Sequence, residues 1–214
     1  MTRPYHHGNL RAELLGAAVA LAREGGPDAV VLREVGRRAE VSHNAAYRHF
    51  ADREALLAEV AEQGLTGLAR AMEQRLAAVR GPHVTRPLRR LAAAGEGYVR
   101  YALAEPGLFR TAFATATHPS MGADGYGAGA SGRTAYQLLG DCLDAMVDSG
   151  DMPRARRPGA EVSCWAGVHG LASLLLDGPL RELDETMRRQ ALTRLLQDLA
   201  AGVTAAHAPA VHAG

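Results

Sequence analysis

The sequence predicts an all-α fold, and three observations predict it. Apolar residues recur three and four positions apart along nearly the whole chain, while strict alternation is almost absent. Cap-forming residues stand just ahead of periodic stretches, at Asn9, Ser42 and Asp52. Gly and Pro cluster between the stretches, at Gly25-Gly26-Pro27, at Gly81-Pro82 and through 118–132. A chain of 214 residues is long enough to bury a stable core without metals or disulfides.

Taken in order, Asn9 caps a first helix carrying Leu10, Leu14, Ala17, Ala18 and Leu21, which Gly25-Gly26-Pro27 ends. Leu32, Val35 and Ala39 line one face of a second, short helix. Glu40-Val41 interrupts the pattern, and Ser42 caps a third helix whose Ala46 and Phe50 point into a core. From Asp52, the series Leu56, Leu57, Val60, Leu65, Leu68, Met72, Leu76 and Val79 predicts one long helix to about Arg80, with Gly64 and Gly67 as its weak points. Pro87 opens the next helix, to Ala104, and Pro106 restarts a short one bearing Phe109 and Phe113.

The Gly-rich stretch 118–132 reads as a loop, followed by a helix from Arg133 to Asp148. After the basic linker MPRARRPG, residues 160–176 are apolar on nearly every face and are expected to be buried all round. A last helix, Met187 to Val203, carries a stripe of Leu192, Leu195, Leu196 and Leu199. The expected division is an N-terminal arm and helix-turn-helix domain over 1–54, a larger helical domain over 55–205, and a tail over 206–214. No internal repeat is visible.

Composition excludes several chemistries. All the basic residues are Arg, so there is no P-loop, Schiff-base or kinase-type lysine. Gly129-Ala130-Ser131-Gly132 lacks one residue of a nucleophile elbow and no strand precedes it. No HExxH occurs, and the histidines show no metal-like grouping beyond His6-His7. The chain therefore reads as no enzyme, and nothing in it calls for a cofactor. Cys142 and Cys164 read as buried free thiols of a cytoplasmic protein, with a redox pair as the alternative. No apolar run is long enough for a membrane span, and the N-terminus lacks a secretory core. With a net charge of only +1, any attraction to nucleic acid must come from local patches.

One such patch is the third helix, where His43, Asn44, Tyr47 and Arg48 share the side away from Ala46 and Phe50. These residue types supply base-edge and phosphate donors together, so the face suits double-stranded DNA, although an ordinary polar helix face is the alternative. The wording VSHNAAYRHFADREALLAEV, with YHHGNLRAELLGAAVALAREGGPDAVVLREV before it, closely resembles the helix-turn-helix of TetR/AcrR-family transcriptional repressors. The resemblance covers about the first sixty residues. Two positions depart from the family pattern: Glu40 stands where a Gly is usual in the turn, and Val31 where a Thr usually begins the second helix. A left-handed Glu costs roughly 1–2 kcal/mol relative to Gly, and a lost Thr cap about 1 kcal/mol.

Early residues of a recognition helix meet base edges. His43, Asn44 and Arg48 are thereby candidates for base readout, and Ala45 for a thymine-methyl contact. The resemblance implies that Tyr47, His49 and Arg53 hold phosphates, with Ser42 adding another to its capping role, and that Arg3 reaches a minor groove.

The body echoes the same family more faintly. EGYVRYALAEPGLFRTAF and CWAGVHGLASLLL resemble the C-terminal domain of a TetR subgroup with a Trp…His-Gly signature, here Trp165, His169 and Gly170. The resemblance implies a body that binds a small molecule and forms a homodimer. Trp165 and His169 share a helical face, and two readings stand: a packed aromatic with a satisfied His, or a ligand-facing pair. Tyr98, Phe109, Phe113 and Met146 are the further candidates for the wall of a pocket for a small apolar effector, with plain core packing as the alternative. The interface candidates are the helices 160–176 and 187–203, joined as a four-helix bundle across a two-fold axis. Two functions fit: a dimeric, ligand-responsive repressor on a palindromic operator, or a helical binding or scaffold protein whose head has lost specific DNA recognition.

Overall fold

The structure is a computed structural model that describes residues 10–81, 86–114 and 125–205. Among them the order is α1 (Leu10–Gly25), α2 (Leu32–Arg38), α3 (His43–His49), α4 (Arg53–Ala78), α5 (Arg86–Ala104), α6 (Pro106–Ala114), α7 (Ala135–Asp148), α8 (Ala160–Leu176) and α9 (Glu185–Thr204). Short 3-10 turns occupy Pro27–Ala29 and Arg154–Arg156. No strand occurs among the described residues. The all-α expectation holds.

The chain forms two compact units, one from residues 1–67 with 105–127, the other from 68–104 with 128–214. The first holds α1, α2, α3, the start of α4, and α6. Its core is built from Leu14, Ala18 and Leu21 of α1, Leu32 and Val35 of α2, Ala46 and Phe50 at α3, Leu56 and Val60 of α4, and Leu108 of α6. Burying a side chain such as Phe50 contributes about 1.5–3 kcal/mol.

That grouping takes in residues 55–67 at the start of α4 and also α6, which packs on α1. Two glycines permit the approach. A Cβ on Gly107 would lie 2.0 Å from the Ala22 carbonyl oxygen, and one on Gly64 would lie 2.9 Å from that of Leu108. Gly64, a weak point for helix propensity, is thus the place where α6 crosses α4.

The second unit is built around α5, which packs on α7, α8 and α9. Thr134 and Gln137 close a reciprocal capping box at the start of α7. Asp184 caps α9 by accepting from the Met187 amide at 2.8 Å. Two expectations about the C-terminal helices need correction. Residues 160–176 are not buried all round within the chain: Cys164, Val168, Leu171, Ala172 and Leu175 face inward, whereas Val162 is 59% exposed and Leu174 42%. Nor is the α9 leucine stripe an outward face, since Leu195 and Leu199 lie against Gly167 of α8, and Leu196 against Gly95 of α5.

Candidate functional site: an outward helix face and a buried cavity

The turn between α2 and α3 sets the aim of the polar residues that follow it. Glu40 takes the left-handed conformation, with φ 56°. Among the described residues it is the one non-glycine to do so. Ser42 then caps α3, its hydroxyl accepting from the Ala45 amide at 3.3 Å. Val31 begins α2 without any side-chain cap and is 46% exposed.

With Ala46 and Phe50 buried, helical geometry sends Asn44, Tyr47, Arg48 and His49 outward. All four are exposed, Tyr47 by 47%, and Ala45 is half-buried at the edge of the face. His43 opens α3. Its side chain and Arg3 lie outside the described residues, as do His6-His7 and the tail.

Charge pairing separates the arginines of the head. Arg38 clasps Glu24 through two bonds of 2.7 and 2.9 Å, and Arg37 clasps Glu34. Those hydrogen bonds hold both carboxyls below the usual glutamate range, with burial opposing weakly. Arg11 pairs with Glu59 and also stands 5.1 Å over the Phe50 ring. Arg48 has no acidic partner among the described residues. Arg53 is different again: its Nε donates to the Val30 carbonyl at 2.8 Å and its Nη2 to that of Pro27 at 2.6 Å, tying α4 to the turn before α2.

In the second unit, Tyr98 of α5 and His169 of α8 share a hydrogen bond between the phenol oxygen and Nδ1, at 2.8 Å. The Tyr98 ring meets Trp165 edge-on, with centroids 5.1 Å apart, and Tyr136 of α7 flanks Trp165 from 5.8 Å. Burial pushes the Tyr98 hydroxyl well above its ordinary range and holds the His169 imidazole below 6.5, so both are neutral at pH 7. Beside them lies a cavity of about 30 Å³, lined by Met72, Leu91, Gly95, Tyr98, Leu139, Trp165, Val168, Leu196 and Leu199.

Of the expected pocket residues, Tyr98, Trp165 and His169 come together, Tyr98 and Trp165 lining the cavity and His169 joined to Tyr98 without lining it; Met146, Phe109 and Phe113 lie elsewhere. Met146 is fully buried near the end of α7, where its carbonyl accepts from the Met152 amide at 3.0 Å, and it does not line the cavity. Phe109 and Phe113 belong to the other unit, paired on α6 with ring centroids 4.9 Å apart. Those three stand outside the cavity because α6 turns to α1 and the inner end of α7 packs on its own C-terminal turn. Tyr136 was readable only as part of an apolar stripe; its place beside Trp165 depends on how α7 crosses α8.

Burial raises the thiols of Cys142 and Cys164 to about 11, which leaves them protonated and unreactive. Among the described residues no group of His, Cys, Asp and Glu is arranged to hold a metal ion. No described helix is long and apolar enough to cross a membrane.

Two family models match the chain. Residues 14–60 match the family described as bacterial regulatory proteins, tetR family, and residues 91–199 match the tetracyclin repressor-like C-terminal domain. No curated protein matches the chain. Among solved structures, a protein of unknown function from Rhodococcus is 27% identical, with a TM-score of 0.75 over 95% of this chain and 100% of that one. The TetR family transcriptional regulator PfmR from Thermus thermophilus is 19% identical, with a TM-score of 0.57 over 91% and 99%. The transcriptional regulator FadR from Bacillus subtilis, solved with stearoyl-CoA, is 12% identical, with a TM-score of 0.62 over 90% and 98%. At the last two identities the likeness is one of fold.

Proposed function

Since the chain belongs to the tetR family of DNA-binding transcriptional regulators, we propose that it is a dimeric repressor that a small, largely apolar molecule releases from a palindromic operator. The observation that carries this reading is the outward row Asn44, Tyr47, Arg48 and His49 on a helix that Ser42 caps and Phe50 anchors. Arg48 and Asn44, with His43, read base edges: a guanidinium suits guanine and an amide suits adenine. Ala45 meets a thymine methyl, and Arg3 enters a minor groove. Tyr47, His49 and the Ser42 hydroxyl hold phosphates and set register. Arg53, whose Nε and one Nη2 N–H are used inside the head, adds a phosphate contact through a remaining N–H and otherwise fixes the turn.

One recognition helix makes too few contacts for specificity, whereas a two-fold pair reads half-sites about 34 Å apart or a multiple of that. The exposed row Val162, Ala166 and Leu174 on α8 is the surface that meets its copy, with the outer side of α9 beside it. The effector site is the cavity lined by Tyr98 and Trp165, with His169 behind it holding the Tyr98 hydroxyl. At about 30 Å³ it is far smaller than the 300 Å³ or more of an occupied small-molecule pocket. An effector therefore opens it, pushing on Leu196 and Leu199 of α9. The helix α4 contributes residues to both units and so carries the change to the head, with a coupling of about 1–3 kcal/mol. The protein acts in the cytoplasm, where its thiols stay reduced.

A second reading has its own observation. The strained Glu40 and the uncapped Val31 weaken the turn that aims α3, as in a helical ligand-binding protein whose head no longer reads sequence. A mobility shift on the DNA upstream of the gene, against a scrambled duplex at fixed salt, separates the two. Sequence-specific retardation supports the repressor. Equal binding of both duplexes supports the alternative.

A further inference from the structure

The second unit also carries a groove of about 850 Å³ between α5 and α9, far larger than the Trp165 cavity. Its floor is apolar, with Leu88, Val99, Leu103, Leu175 and Leu192 among its residues. Four arginines stand along it: Arg89 and Arg100 from α5, Arg188 and Arg189 from α9. Two of these are paired. Arg100 binds Glu96 at 2.8 Å, a carboxylate shared with Arg75, and Arg189 stands 3.9 Å from Glu185.

The other two have no carboxylate among the described residues. Arg89 donates Nη1 to the Arg80 carbonyl at 3.1 Å, and Arg188 donates Nη2 to that of Arg181 at 2.6 Å. The Nε of Arg188 is buried with no acceptor among the described residues. Arg188 is half-buried and Arg89 exposed, and each guanidinium is held by one neutral carbonyl with no counter-ion among the described residues. Two such cations beside an apolar floor are complementary to an oxyanion joined to a hydrocarbon chain.

We propose that the α5–α9 groove is a second ligand site, distinct from the Tyr98–Trp165 cavity, and that it takes a single-chain amphiphile with an oxyanion head. The chain lies on Leu88, Val99, Leu103 and Leu192, and the head engages Arg188 and Arg89. Ala92 and Leu196 line both the groove and the cavity, so occupancy of the first repacks the wall of the second. Trp165 emission reports it.

The test titrates the full-length protein with dodecanoate below its micelle concentration, by calorimetry and by Trp165 fluorescence, with dodecanol and acetate as controls. Dodecanoate should bind at least about tenfold more tightly than either control, because a charge-assisted hydrogen bond is worth that much or more. Arg188→Gln and Arg89→Gln should each weaken dodecanoate by about tenfold and leave dodecanol unchanged. Added salt should weaken dodecanoate alone. The two arginines sit on different helices, so one variant remains informative if the other melts early. Equal binding of dodecanoate and dodecanol overturns the proposal, as does undiminished affinity in both variants. A shift in sedimentation of Arg188→Gln, with no change in dodecanoate affinity, overturns it in favour of a contact between copies.

Discussion

On α3, Asn44, Tyr47, Arg48 and His49 stand in solvent on a helix fixed from behind, while in the body Tyr98 is buried and Trp165 and His169 are half-buried. Tyr98 and His169 already satisfy each other, and the space beside them is about 30 Å³. The head is ready to bind as it stands, since its contacts need only an approaching duplex. On the proposed function the body must first be opened, and its ligand does work on the packing of α9. A regulator needs that asymmetry, because a body indifferent to its ligand shifts nothing in the head.

The largest effect expected comes from separating the heads. Val162→Arg with Leu174→Arg should give monomers in sedimentation and lower operator affinity by about 10²–10⁴, the range lost when a linked second contact is removed. An intact dimer would move the interface away from α8. Leu195→Arg with Leu199→Arg acts elsewhere, because both leucines pack on Gly167 of their own chain. That pair should unfold the second unit rather than part the subunits.

Next come substitutions that divide the two regions. His169→Ala removes the polar partner of Tyr98 and should cost about 1–3 kcal/mol in stability, the penalty for an orphaned buried hydroxyl. In a mobility shift it should weaken the response to effector and leave operator affinity within about twofold, a change of under 0.5 kcal/mol. Equal loss of DNA binding and effector response would mean that the regions are not separable.

Glu40→Gly acts on the head alone. Relieving the positive φ of 56° should raise its stability by about 1–2 kcal/mol, seen as a higher melting temperature. An unchanged melt would show that the turn is not strained.

The smallest effect is the pH dependence from His169. Burial holds its imidazole below the ordinary 6.5, so as pH falls through 6.5 the unfolded chain takes up a proton before the folded one does. This contribution to stability is fully present above 6.5 and is lost toward acid, by at most about 1.4 kcal/mol per pH unit. Melting curves of the wild type and His169→Gln between about pH 8 and about pH 5 should diverge only on the acid side. Parallel curves would contradict the burial of a neutral imidazole.

The head was legible because its signals are local. The Ser42 cap, the breaks at Gly25-Gly26-Pro27 and the left-handed turn at Glu40 are each decided within a few residues. What was not legible depended on residues far apart in the chain. Nothing near Phe109 tells that α6 joins α1; that rests on Gly107 meeting the Ala22 carbonyl. An α8 with apolar residues on nearly every face reads as wholly buried, yet only its partners decide which face remains outside. The pairing of Tyr98 with His169 was hidden for the same reason, although each residue alone was a candidate.

The most direct test of sequence reading by α3 is a titration of wild type, Arg48→Ala and Tyr47→Phe against an operator and its single-base variants at fixed salt. Arg48→Ala should lose about 1–3 kcal/mol and stop discriminating at one symmetric pair of positions. Tyr47→Phe should weaken every site alike. Unchanged affinity and unchanged discrimination in Arg48→Ala would contradict base readout by the outward face of α3.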